Sequence, residues 1–228
     1  MQQTINKIIN NIRNLGYRTH AYPLPIGLTE EEQRVIAKYA LSSRADGIFM
    51  ETGTFFGGSS CILWYCAFEN KIPIVVSIDP FQVKPIDRGL GSVQNFNNMV
   101  KKVGSDSIAR LCNMESQKSR EWYKENVDQP ISFFFIDGDH RYVGCKGDFD
   151  YYKDLLLPGA YVAFHDCNNP FKDDFRTEEE VIKQNNTYDL DIAVRNLLKE
   201  SPSFKVVDMT HNGSSIVVIQ KDIQGATK

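Results

Sequence analysis

Residues 47–70 read GIFMETGTFFGGSSCILWYCAFEN, and the order of apolar and small residues in this stretch decides the fold. GIFMET (47–52) is an apolar run of strand length. It enters a glycine-rich turn, and SSCILWYCAFEN (59–70) continues as a helix. A strand that feeds a helix through a tight turn is half of a βαβ unit. The other half follows at once, because IPIVVSID (72–79) is a β-branched strand that ends in an acid.

The same rhythm runs outward. Residues 92–103 have a helical pattern, ARLCN (109–113) is a weak strand, SREWYKENV (119–127) is a helix, and ISFFFID (131–137) is a buried strand ending in an acid. Residues 141–157 are predicted as one helix with Tyr142, Cys145, Phe149, Tyr152 and Leu156 on one face. AYVAFHD (160–166) is a further strand, a polar loop spans 167–178, and a helix lies around 189–200. FKVVDMT (204–210) and SSIVVIQ (214–220) flank His211-Asn-Gly213, a hairpin turn signal. Strands alternating with helices, then a terminal hairpin, imply an α/β fold with a mostly parallel sheet and an antiparallel edge.

Upstream, Ile5, Ile8, Ile9, Ile12 and Leu15 mark one face of an amphipathic helix, read as packed on the body and as a candidate dimer element. Thr29 with Glu32 reads as a capping box, and the acidic run 30–32 complements the helix dipole; Thr177 with Glu178, Glu179 and Glu180 repeats the pattern.

The chain has 228 residues, 42% hydrophobic, with a formal charge of −3, enough apolar residue for one sizeable core. The acidic balance argues against nucleic acid or an anionic membrane as partner. No apolar stretch approaches membrane-spanning length. Five cysteines, an odd number without a CxxC pair, read as reduced thiols and place the protein in the cytoplasm.

In an open parallel sheet, ligands bind beyond the carboxyl ends of the strands. The first such end is Glu51-Thr-Gly-Thr-Phe-Phe-Gly-Gly-Ser-Ser60, where Gly53, Gly57 and Gly58 let the backbone approach a ligand and Ser59 opens the helix. It is not GxGxxG, because Gly53 and Gly57 lie four apart. The second is Asp79, placed to accept both hydroxyls of a ribose, and the third is Glu115-Ser116, positioned to face an adenine.

With these ends in order, ETGTFFGGSS, VVSIDPF, FFIDGDHRYVG and LLLPGAYVAFHD resemble class I S-adenosylmethionine-dependent methyltransferases over residues 45–168. More narrowly they resemble the small-molecule O-methyltransferases of the macrocin and cephalosporin hydroxylase-like group. The resemblance implies a Rossmann-like, doubly wound, seven-stranded sheet with an antiparallel last strand. Residues 1–45 would form a helical cap on a methyltransferase domain spanning 46–228, with the Pro23–Pro25 segment over the substrate pocket.

It also implies roles. Gly53, Thr54 and Gly57 would hold the methionine part of S-adenosylmethionine, with Ser59 alongside and Glu51 near its amino group. Asp79 would take the ribose, Glu115 and Ser116 the adenine, and Asp137 is a further cofactor-binding residue. Several relatives bind a divalent cation, and the matching residues are Asp137, His165 and Asp166. A histidine at 165 departs from the usual acid and suits Mn, Fe, Co or Zn better than Mg; Asn168 is a replacement oxygen donor.

The acceptor is expected to be a hydroxyl of a small molecule, a sugar or a phenol, since no Asn/Asp-Pro-Pro-Tyr/Phe segment follows the fourth strand. Asp139 and His140 are the candidate bases; Asp139 also reads as N-cap of the helix after it. His20, Tyr17 and Tyr22 are candidate pocket residues. The competing readings are an NAD-dependent oxidoreductase and a non-catalytic cofactor-binding protein.

Overall fold

The computed structural model describes residues 1–16, 28–82, 92–167, 170, 176–184, 189–210 and 215–223. Tyr17, His20, Tyr22, the Pro23–Pro25 segment, Asn168 and the turn at 211–213 lie outside the described residues.

Seven strands form one sheet: β1 (Ile48–Thr52), β2 (Val75–Ile78), β3 (Ala109–Cys112), β4 (Ile131–Ile136), β5 (Leu156–Phe164), β6 (Phe204–Met209) and β7 (Val217–Lys221). Their order is β3-β2-β1-β4-β5-β7-β6. The first five strands pair in parallel, and β7 runs antiparallel to both β5 and β6. The expected doubly wound sheet with an antiparallel last strand is present. Strand order reverses between β1 and β4, so the switch point lies between Thr52 and Ile136, which pair side by side.

The sheet is buried on both faces, as continuous apolar strands require. In β4, Phe133 and Phe135 point into one core layer and Phe134 and Ile136 into the other. The first layer is covered by α1 (Gln2–Asn14), α2 (Glu30–Ser42), α3 (Gly58–Asn70) and α4 (Val93–Val103). The second is covered by α5 (Arg120–Asn126), α6 (Tyr142–Tyr152), α7 (Glu178–Gln184) and α8 (Leu190–Glu200). Ile5, Ile8, Ile9, Ile12 and Leu15 are all buried in the chain's own core. That face of α1 is therefore not available to a second copy.

One boundary differs from the sequence reading. The helix predicted over 141–157 ends at Tyr152, a 3-10 turn spans Lys153–Leu155, and Leu156 opens β5. Leu156 stays buried, but by pairing beside Ile131 of β4. Pro158 and Gly159 follow in the interval where the β4–β5 register shifts, a place where a strand tolerates a residue without an N–H. Both capping boxes form. Thr29 Oγ1 accepts Glu32 N–H while Glu32 accepts Thr29 N–H, and Thr177 and Glu180 exchange the same pair of bonds. No described helix is long and apolar enough to cross a membrane, and all five cysteines are buried and unpaired with one another.

Candidate active site

The chain leaves β1 through Gly53, whose φ of +79° is left-handed, and enters α3 through Gly57 at +89°. A Cβ at Gly53 would lie 2.0 Å from the Asp137 carbonyl oxygen, so the β1 and β4 turns meet backbone to backbone. Between the glycines, Phe55 also has a positive φ, 53°, and after β2 so does Phe81, at 48°. Bulky residues rarely adopt this conformation. Asp79 holds both in place, accepting Phe55 N–H at 2.7 Å and Phe81 N–H at 2.6 Å. Burial pushes its carboxyl above the ordinary carboxylate range, and those backbone N–H groups partly oppose the rise.

Glu51 lies beneath this turn and is 0% exposed. Ser59 Oγ and Ser77 Oγ donate to it at 2.6 Å, and Ser60 Oγ donates as well. Thr54 Oγ1 pairs with Ser60 Oγ at 2.6 Å. The structure thus brings Glu51, Thr54 and Ser59 into one buried network that braces the first turn of α3 on β1 and β2. Burial raises the Glu51 carboxyl, and the hydroxyls pull the other way.

At the β3 end, Ser116 Oγ donates to Asp148 of α6, while Glu115 is exposed and ion-paired with Lys118 at 2.7 Å. The sequence reading missed Asp148. Its signal was an acid among Tyr142, Cys145, Phe149 and Tyr152 on the apolar face of α6, where it is 2% exposed. Burial raises its carboxyl to about 6 from an ordinary 3.8, with Ser116 opposing. A raised carboxyl favours folding most below its unfolded pKa, and that contribution is lost as pH rises through about 6. Asp148→Asn, whose amide oxygen can still accept from Ser116, should therefore stabilise the fold at pH 7–8. The expected gain is on the order of 1–2 kcal/mol, under the ~3 kcal/mol equivalent of the shift. Urea melts of both proteins should converge below about pH 4; an equal gap at every pH would contradict the burial account.

The ends of β4 and β5 converge most closely. Asp137 Oδ1 lies 2.9 Å from His165 Nδ1 and 3.3 Å from His140 Nε2, and His140 Nδ1 lies 3.0 Å from Asp166 Oδ2. Asp166 sits at a φ of +55° and accepts Ser215 Oγ–H at 3.3 Å. Burial alone would raise Asp137, yet the imidazoles of His165 and His140 outweigh it and hold the carboxyl at about 2. Bonds to Asp137 and Asp166 raise His140 to about 10. His165 is raised to about 11, with Asp137 and Glu32 overcoming its burial.

Asp137, His140 and Asp166 each offer a ligand atom within 4.8 Å of the others, the one such trio among the described residues. The set expected from the sequence, Asp137, His165 and Asp166, differs from this trio in its histidine. The structure sets His165 against Asp137 but turns its Nε2 toward Glu32, 3.4 Å away, and brings His140 between the two acids. Asp139 stands apart, since the Arg141 guanidinium engages both of its oxygens. Its side chain does not bond the α6 N-terminus; it accepts the N–H of Arg141, the residue before the helix. Gly144 makes room for this loop, because a Cβ there would meet the Asp139 side chain at 2.3 Å.

The fold has counterparts among known proteins. Protein R132 of Acanthamoeba polyphaga mimivirus is 25% identical over 181 residues, covering 79% of this chain and 75% of that one. An O-methyltransferase from Bacillus cereus, solved in complex with SAH, superposes with a TM-score of 0.62 at 12% identity, over 96% of this chain and 91% of that one. The O-methyltransferase TomG from Streptomyces achromogenes, solved with SAM, gives 0.59 at 14% identity, over 96% and 89%. At such identities the likeness is one of fold. A family profile described as a methyltransferase domain matches residues 50–167, from inside β1 to just past Asp166, and the chain belongs to that methyltransferase family.

Proposed function

We propose that the protein transfers a methyl group from S-adenosylmethionine to a hydroxyl of a small molecule, a sugar or a phenol, with a divalent cation assisting. The observation that carries the reading is the cluster of Asp137, His140 and Asp166 at the strand ends beside the switch point. The residues present fit the cofactor. Asp79 stands at the end of β2, Gly53 and Gly57 let the turn take left-handed backbone at both of its ends, and the acids at 137 and 166 suit a cationic sulfonium. They also fit a cation, through the hard oxygens of Asp137 and Asp166; an imidazole joining them as a third ligand would favour Mn, Fe, Co or Zn over Mg.

S-adenosylmethionine, when bound, supplies a methyl carbon on a sulfur that leaves readily. What remains for the chain is alignment, which can contribute about 7–11 kcal/mol, and removal of the acceptor's proton. His140 is the better placed of the two candidate bases: its side chain is 32% exposed beside the acids, whereas Asp139 is engaged by Arg141. Asp137 and Asp166 would hold the cation, which makes a hydroxyl more acidic. Without a cation these same two carboxylates hold His140 protonated; a cation held by them would offset their charge, lower His140 and leave its ring free to take the acceptor's proton. Substrate choice would fall to the cap, residues 1–45. The net charge of −3 speaks for a small acceptor rather than nucleic acid.

Calorimetry with S-adenosylmethionine and with NAD, each with EDTA or added Mn, tests the reading. Binding of S-adenosylmethionine and not NAD is expected; the reverse would assign an oxidoreductase. His140→Ala should lower kcat by roughly 10²–10⁴-fold while Mn affinity is kept. Lost Mn affinity instead would make His140 the third ligand, the alternative favoured by its place in the trio.

A further inference from the structure

The glutamate of a capping box ordinarily serves its own helix, reaching back to the N-cap backbone. Glu32 does this with one oxygen, Oε2, which accepts Thr29 N–H at 2.7 Å. Yet Glu32 is only 5% exposed, and its other oxygen turns inward. Oε1 lies 3.4 Å from His165 Nε2 and accepts Ser215 N–H at 3.3 Å. The opposite nitrogen of the same ring, Nδ1, faces Asp137 Oδ1 at 2.9 Å and Asp166 Oδ1 at 3.8 Å. One imidazole thus spans two carboxylates that come from opposite ends of the chain's fold: one from the N-terminal helices, one from the end of β4.

We infer that Glu32 is a positioning residue of the active site. By bonding Nε2 it sets the direction of the His165 ring, and the ring in turn holds Asp137 Oδ1 where His140 and the reacting groups meet it. The bond to Ser215 extends the same hold, because the Ser215 hydroxyl donates to Asp166. Groups that orient a functional carboxylate or imidazole from behind typically alter activity by roughly 10–100-fold when replaced. The first turn of α2 is therefore part of the site's support as well as a helix start. The kinetic consequence rests on the methyl-transfer reading above; the geometric one does not.

Three variants separate positioning from capping. Glu32→Gln can still accept Thr29 N–H through its amide oxygen, but it presents an NH₂ group to His165 and Ser215. Thr29→Ala removes the capping hydroxyl and leaves the Glu32 bonds to His165 and Ser215 intact. Glu32→Asp keeps the charge on a shorter arm. The primary readout is the imidazole ¹⁵N signals of His165 at fixed pH, assigned by their loss in His165→Ala, with thermal melts alongside.

Glu32→Gln should shift the His165 Nε2 signal and lower kcat about 10-fold or more with little change in KM. Glu32→Asp should recover part of both. Thr29→Ala should lower the melting temperature while its His165 signals match the parent's. The assignment is overturned if Glu32→Gln leaves the His165 signals in place, or if Thr29→Ala moves them as far. Should the parent protein transfer no methyl group, the functional reading fails while the ¹⁵N comparison still decides the role of Glu32.

Discussion

Gly53→Ala is expected to cost more than about 4 kcal/mol of folding stability, a large part of the whole for a domain of this size. Two penalties add. The residue sits at a φ of +79°, where a side chain is strained whatever the surrounding space. The added carbon would also fall 2.0 Å from the Asp137 carbonyl oxygen, 2.4 Å from its carbon and 2.7 Å from Gly138 Cα. Every one of these is a backbone atom, so no rotamer change relieves the overlap.

The chain has two ways out, and both damage the site. If β1 and β4 separate, Asp137 N–H loses its 2.9 Å bond to Thr52 O. If the turn rotates instead, Gly53 N–H leaves Ile78 O and the Asp79 bond to Phe55 goes with it. Urea unfolding should show a much lower midpoint, and calorimetry should show no S-adenosylmethionine binding. A variant within about 1 kcal/mol of the parent would mean that the turn has slack the structure does not show.

The strand–turn–helix core was legible because its signals are local. Apolar runs such as 131–136, buried on both faces, have few other places to go, and the glycine turn and strand-end acids follow from where each run stops. What the sequence did not disclose depends on long-range contact. The helix 142–152 ends early because Leu156 finds a partner in Ile131, 25 positions back, and no helical periodicity records that. Glu32 matches a capping box completely, and its second oxygen reaches His165 only because α2 folds over the end of β5. Asp148 left a trace as an acid on an apolar helix face, but its partner Ser116 comes from another element. His140 and His165 could both be placed at strand ends from their spacing. Which ring enters between Asp137 and Asp166 depends on side-chain direction, and that is a property of the folded loop.

Asp137→Asn should remove the centre of this cluster, and its signature lies in the pH dependence. In the folded protein the Asp137 carboxyl is held at about 2 from an ordinary 3.8. A depressed carboxyl contributes stability that is present above its unfolded pKa and is lost as pH falls through the folded value. That fixes the acid side: the contribution fades between about pH 4 and pH 2. His140 and His165 fix the other side. Their pKa values are raised from 6.5 to about 10 and about 11. A raised imidazole contributes fully below its unfolded pKa, and that contribution declines as pH climbs toward the folded value.

The stability gap between parent and Asp137→Asn should therefore be widest between about pH 4 and 6.5 and should narrow on both sides. The shift of Asp137 alone corresponds to roughly 2–3 kcal/mol, or about 4–12 °C in melting temperature for a chain of this length. Asp166 and Glu32 still face the two rings in the variant, so the gap should fall short of the ~3–5 kcal/mol cost of breaking an isolated buried ion pair. Addition of Mn should raise the melting temperature of the parent and leave the variant unmoved. Thermal melts from pH 2.5 to 10 measure all of this. A gap that stays constant across that range would show that Asp137 supports the fold by packing alone and that the two histidines carry no charge against it.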